Sequence, residues 1–166
     1  NTEGLFFSRK AGYDPGAAEV RDTMRVSRHT SVRLFEAAFR HAQRRRKLVT
    51  LVDKANVLPS MAYFRGIFKE VAQRFTDVRS ECIYVDAAAL YLVQRPETFD
   101  VMVTENMFGD ILSDLAAGLI GGMGMAPSGD IGDKHAVFQP SHGSAPDIAG
   151  KGIANPTAQI LSLALM

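Results

Sequence analysis

Two carboxylates, Asp110 and Asp114, stand four residues apart in Asn106-Met107-Phe108-Gly109-Asp110-Ile111-Leu112-Ser113-Asp114, an otherwise apolar stretch. At 3.6 residues per turn both project from one helix face, close enough for their charges to repel unless a cation or a donor lies between them. A hard divalent metal is one partner for such a pair. The other reading is an acid complementing the helix dipole plus a second, solvated acid, and the spacing alone leaves both open. Further polar groups follow apolar runs of strand character: Lys54 after Leu48–Val52, Asp86 after Cys82–Val85, and Asp110 shortly after Phe99–Thr104. A lysine among such acids is either their counter-ion or a base with a lowered pKa.

The elements that would position these groups alternate. Leu48–Val52 is short, apolar and rich in β-branched residues, which predicts a buried strand. Pro59-Ser60 starts a helix with Met61, Phe64, Phe68, Val71 and Phe75 on one face. Cys82–Val85 and Phe99–Thr104 are the next strands, with an alanine-rich helix between them. The second is followed at Gly109 by a turn that places Asp110 in the first turn of another helix. Upstream, Val32, Phe35, Ala38, Phe39 and Ala42 mark an amphipathic helix with a hydroxyl cap at Thr30-Ser31. This order predicts an α/β fold with a parallel sheet, whose ligands bind at the C-terminal ends of the strands. Lys54, Asp86 and Asp110 all fall at that edge.

The remaining segments are less regular. Asn1 to Phe7 reads as a strand entered partway. Ala11 to Arg28 reads as a turn-rich excursion with one exposed strand through Val20, Met24 and Val26, suited to pairing with a second subunit. Gly121 to Gly129 lacks the spacing of a dinucleotide fingerprint and reads as a loop or hinge. Ala136–Pro140 is a short strand. From His142 to Pro156 the glycines, prolines and small side chains would let a loop's backbone approach a flat or phosphorylated ligand, and Asn155-Pro156 ends the loop at a terminal helix.

The 166 residues, 46% hydrophobic and 22% charged with a net charge of +1, fit a soluble globular chain without a dominant electrostatic partner. The basic run Arg44-Arg45-Arg46-Lys47 follows a helix C-terminus and lacks interleaved aromatics, so no nucleic-acid role is expected. No apolar run is long enough to span a membrane. The single cysteine, Cys82, suits a reducing compartment, a cytoplasmic location and a place in the core. The chain opens on Asn1 and stops at Met166 inside an apolar pattern, so we expect it to be part of a longer protein.

Five stretches carry a resemblance spanning nearly the whole chain: Asn1–Gly4, Val52–Leu58, Tyr84–Ala87, Asn106–Asp114, and His142–Asp147 through Asn155-Pro156. In this order they are similar to the β-decarboxylating 2-hydroxyacid dehydrogenases, the family of isopropylmalate, isocitrate, homoisocitrate, tartrate and D-malate dehydrogenases. The resemblance implies that family's three-layer α/β sandwich, here as a partial chain, with domains at 1–121 (substrate, metal and dimerisation) and 122–166 (part of the NAD-binding domain). It implies Mg2+ or Mn2+ bound by Asp86, Asp110 and Asp114. Lys54 would help remove the substrate's hydroxyl proton, and Asn56 and Val57 would lie at the substrate. Lys54 and Asp86 would enter from the other subunit, making a homodimer. His142, Gly143, Ser144, Ala145, Asp147, Ile148 and Asn155 match the family's cofactor loop. A carboxylate at Asp147 accepts from a ribose hydroxyl but repels a 2′-phosphate, which selects NAD over NADP.

The reaction implied is NAD-dependent oxidation and β-decarboxylation of a 2-hydroxy dicarboxylic acid. An isopropylmalate-type substrate leads, and tartrate or D-malate is close behind. The chain departs from the family's pattern at Phe6, at Gln139 and in lacking the family's substrate-binding arginines. Phe6 occupies the position of a tyrosine that protonates the enol in similar enzymes, and phenylalanine has no proton to give. A water or Tyr13 would have to substitute, or decarboxylation is impaired, or the chain is a non-catalytic regulatory paralogue. Gln139 stands where a glutamate is common. The arginines that bind substrate carboxylates in the family would precede Asn1, so the isolated chain is expected to be nearly inactive.

Overall fold

The computed structural model describes residues 3–166; Asn1 and Thr2, the first half of the Asn1–Gly4 stretch, lie outside the described residues. The chain divides into two compact units, Asn1–Leu112 and Ser113–Met166.

In the first unit, strands β1 (Leu48–Asp53), β2 (Arg79–Tyr84) and β3 (Val101–Thr104) form a parallel sheet in the order β2-β1-β3. Register places Asp53 opposite Tyr84 and Val52 opposite Thr104, so the C-terminal ends of all three strands share one edge. Every residue of β1 is buried, and both faces of the central strand are therefore covered. Val49 and Leu51 join the core formed with helices α1 (Arg28–Gln43) and α2 (Pro59–Ala72). Phenylalanines hold these two helices together: Phe35 meets Phe64 at 4.6 Å and Phe68 at 5.3 Å between ring centroids, and Phe39 lies 5.5 Å from Phe68 and 5.0 Å from Phe75 just beyond α2. Tilted and offset rings of this kind add to the burial of apolar area. Helix α3 (Val85–Gln94) follows β2 without a loop and packs on β2 and β1.

Several local expectations are corrected. Helix α1 begins at Arg28, three residues ahead of Ser31, and its N-cap is Ser27. Ser31 is instead buried in the first turn, with its hydroxyl donating to the Ser27 carbonyl at 2.7 Å. Residues Leu5–Lys10 form a 3-10 helix in place of the strand read there. Among the described residues the excursion after it holds no strand, and an antiparallel bridge joins Gly4 to Arg25. Gly109 is not a turn, because α4 (Asn106–Leu119) starts earlier, and Asp110 falls in its second turn. The cause is Glu105, whose Oε1 accepts from the Phe108 N–H at 2.7 Å and caps the helix from the strand side.

In the second unit, β4 (Pro127–Ile131) and β5 (Ala136–Pro140) form an antiparallel hairpin against α5 (Thr157–Leu165). Strand β4 begins within the stretch read as a loop. Its small residues serve packing: a Cβ on Gly129 would stand 3.1 Å from the Phe138 ring opposite. Ser162 of α5 is fully buried, donating to the Ala158 carbonyl at 2.7 Å.

Candidate active site

Parallel pairing of β1 and β2 brings Lys54 and Asp86 together at the C-terminal edge of the sheet. Lys54 is the first residue beyond β1, and Asp86 sits in the first turn of α3 directly after β2. Lys54 Nζ donates to Asp86 Oδ1 at 2.6 Å. The Asp86 carboxylate is held below its ordinary pKa by this hydrogen bond first, and further by backbone N–H groups at the start of α3. It stays ionised and, at 67% side-chain exposure, accessible.

The turn that presents Lys54 is fixed from beneath. Asp53 is 0% exposed and takes a two-pronged hydrogen bond from Arg65 of α2, at 2.6 and 2.7 Å. Its Oδ1 also accepts from the Ala55 N–H at 2.9 Å, and the Lys54 carbonyl accepts from Val57 and Leu58. The Arg65 guanidinium is held far above its usual pKa, chiefly by the hydrogen bond to Asp53. Lys54 is thus flanked on both sides by a pinned backbone. Asn56 and Val57 extend from the same turn into solvent. The Cys82 thiol of β2 is half-buried, and burial pushes its pKa up, so it remains a neutral core group.

Asp110 and Asp114 are exposed and lie one turn apart on α4. Two carboxylates on one helix face are an oxygen donor set that fits Mg2+ or Mn2+. Among the described residues, no group of three or more His, Cys, Asp or Glu side chains that could hold a metal ion is present.

In the second unit a cavity of about 400 Å3 is lined by Met123, His142, Gly143, Ala145, Ile148 and Asn155, with further small residues between them. That size is within the range of small-molecule pockets. Ala145 adopts the left-handed conformation at φ 44°, and Gly150 and Gly152 have φ of 75° and 64°. The backbone therefore lines the cavity closely, and beside Gly143 there is open space. The Asn155 side chain accepts from the Thr157 N–H at 3.0 Å at the start of α5, and His142 Nδ1 lies 2.8 Å from the Gly143 carbonyl. Asp147 is exposed on the 3-10 turn Pro146–Ile148 and does not line the cavity. A loop of bare backbone with one exposed carboxylate fits a dinucleotide whose ribose hydroxyls need an acceptor.

The isocitrate/isopropylmalate dehydrogenase family model matches residues 1–166. The chain belongs to that family. It is 55% identical over its whole length to the isocitrate/homoisocitrate dehydrogenase of Thermus thermophilus, covering 49% of that protein. It is 53% identical, over 93% of the chain and 44% of the relative, to the 3-isopropylmalate dehydrogenase of Albidiferax ferrireducens. Among solved structures, the isocitrate dehydrogenase from Methylococcus capsulatus superposes with a TM-score of 0.88 at 46% identity, covering 99% of this chain and 50% of that one. The chain spans about half the length of the curated relatives it matches. The α/β fold with a parallel sheet is that of the isocitrate dehydrogenase structures over this half.

Three groups that support the candidate site carry no local sequence motif. Asp53 and Arg65 were hidden because a charged residue after a strand and another on a helix do not announce a pair 12 residues apart. Glu105 was passed over between a strand and a helix. Its cue was position: an acidic side chain three residues before an N–H that needs an acceptor.

Proposed function

We propose that the protein is an NAD- and Mg2+- or Mn2+-dependent dehydrogenase that oxidises and β-decarboxylates a 2-hydroxy dicarboxylic acid of the 3-isopropylmalate type. The observation that carries this reading is the Lys54–Asp86 pair at the C-terminal edge of a parallel sheet, in a chain that matches the family from end to end. The substrates in the names of the similar proteins, isopropylmalate and isocitrate or homoisocitrate, share a hydroxyl adjacent to one carboxylate and a second carboxylate at the β-carbon. That arrangement is the substrate class assigned here.

In this reading Asp86, Asp110 and Asp114 hold the divalent cation, with Asp86 and Lys54 supplied to the site of a partner subunit. A divalent cation held there would supply polarisation of the substrate hydroxyl and counter-charge for its oxygen, and a dinucleotide held by the His142–Asn155 loop would supply the hydride acceptor. After releasing its own proton to solvent, the neutral Lys54 amine would take the hydroxyl proton at Nζ and return to the ammonium that pairs with Asp86. Its hydrogen bond to Asp86 and the pinned turn beneath it set the direction from which it acts. The loop from His142 to Asn155 holds the dinucleotide, with Asp147 accepting from the ribose. Phe6 excludes a proton donor from its position, so the proton that completes the product comes from water or from another side chain such as Tyr13, which is 74% exposed.

Phe6 also favours a second reading, a non-catalytic subunit that retains the metal site. Binding of Mn2+ to the intact protein, followed by electron paramagnetic resonance alongside turnover, separates the two. Asp110→Ala is expected to weaken Mn2+ by at least about ten-fold and to abolish turnover. Mn2+ binding without turnover in the unaltered protein supports the second reading, and unchanged Mn2+ affinity in the variant contradicts the metal assignment.

A further inference from the structure

One aromatic ring lies against both cations of the edge just described. Tyr84 ends β2 and serves as the N-cap of α3, two residues ahead of Asp86. The Arg65 guanidinium stands 5.0 Å from the centroid of its ring, and Lys54 Nζ stands 5.8 Å from the same centroid. Both are within reach of the negative face of an aromatic ring. The two cations are not equivalent. Arg65 is committed to buried Asp53 and cannot leave without stranding that carboxylate. Lys54 is a long flexible side chain whose partner, Asp86, is mostly exposed, and an exposed ion pair alone holds such a chain weakly.

We propose that Tyr84 is the positioning residue for Lys54: Arg65 steadies the ring, and the ring seats the Lys54 ammonium beside Asp86. The role is assigned to the ring, whose centroid lies near both cations, while the phenol hydroxyl also interacts with Arg65. The consequence for catalysis rests on the proposal that Lys54 takes the substrate's proton. The seating of Lys54 itself is a property of this chain alone.

Ring electronics supply the test, because fluorination weakens the negative face while hardly changing shape. In the intact protein, with Mn2+, NAD and 3-isopropylmalate, position 84 is varied from Tyr to Phe, then to phenylalanines carrying increasing ring fluorine, and to Leu. The order of the Lys54 ammonium is read in parallel by lysine-selective NMR. Tyr84→Phe is expected to keep kcat within about two-fold. Full fluorination is expected to lower kcat about five-fold at unchanged KM and unchanged thermal midpoint, with Lys54 losing order in the same sequence. Equal order of Lys54 in the Phe and fluorinated proteins overturns the proposal, as does a Tyr84→Phe variant as impaired as Tyr84→Leu, which would assign the role to the hydroxyl. Full turnover by Lys54→Met contradicts the catalytic reading alone, because the NMR measurement needs no turnover.

Discussion

Lys54 Nζ and Asp86 Oδ1 are 2.6 Å apart, joined across two parallel strands by residues 32 positions apart in the chain. The pair is exposed at the acidic end, so its removal costs little stability. Lys54→Met is expected to lower kcat by at least about 100-fold while the thermal midpoint of the intact protein moves by less than about 3 °C. Steady-state kinetics and a thermal melt on the same sample check both halves of this statement.

Asp53 and Arg65 behave in the opposite way. Arg65→Met leaves a fully buried carboxylate without its cation, and a loss of about 3–5 kcal/mol is expected in denaturant unfolding. Asp53→Asn added to Arg65→Met removes the stranded charge and is expected to recover part of that loss.

Gly4 and Glu105 form a tight contact. Gly4 has φ 68°, and a Cβ there would run into Glu105 Oε2, a buried oxygen with no hydrogen-bond partner among the described residues. Gly4→Ala is expected to destabilise the protein by about 1–3 kcal/mol, through backbone strain and overpacking together. In a Glu105→Ala background the same change costs less, because only the strain remains. A double-mutant cycle in denaturant measures the difference.

Asp100 supplies a dependence on pH. Its side chain is 1% exposed. Burial pushes its pKa up, but hydrogen bonds from Arg45, at 2.8 Å, and from the backbone of Leu48 and Arg46 outweigh burial and hold it below the ordinary value. A carboxyl depressed in the folded state contributes stability above its unfolded pKa, near 4, and loses that contribution as pH falls through the folded value. Stability curves between pH 5 and pH 2 are expected to fall more steeply for the unaltered protein than for Asp100→Asn, in which no carboxyl titrates.

The strand and helix order around the sheet was legible because β1 is a continuous apolar run and α2 carries phenylalanines at helical spacing. Legible too was the edge at which Lys54 and Asp86 meet, since each follows a strand directly. Boundaries set by side chains reaching back to the backbone were not legible. The start of α4 depends on Glu105 and the start of α1 on the Ser27 region, where the Ser27 hydroxyl lies 2.9 Å from both Glu3 and Thr30. Strand β4 was hidden for a related reason: Gly129 and Ser128 have loop composition, yet glycine is what the facing Phe138 ring requires. Pairing of Arg65 with Asp53, and the ring of Tyr84 against two cations, are tertiary facts with no local pattern.

The most direct measurement follows NADH and CO2 separately as the intact protein, with Mn2+ and NAD, meets 3-isopropylmalate, isocitrate, homoisocitrate, tartrate and D-malate. Matched production of NADH and CO2 from a substrate bearing a β-carboxylate, abolished by chelation of the metal, is the expected result. Neither product from any of these acids would contradict the proposed activity.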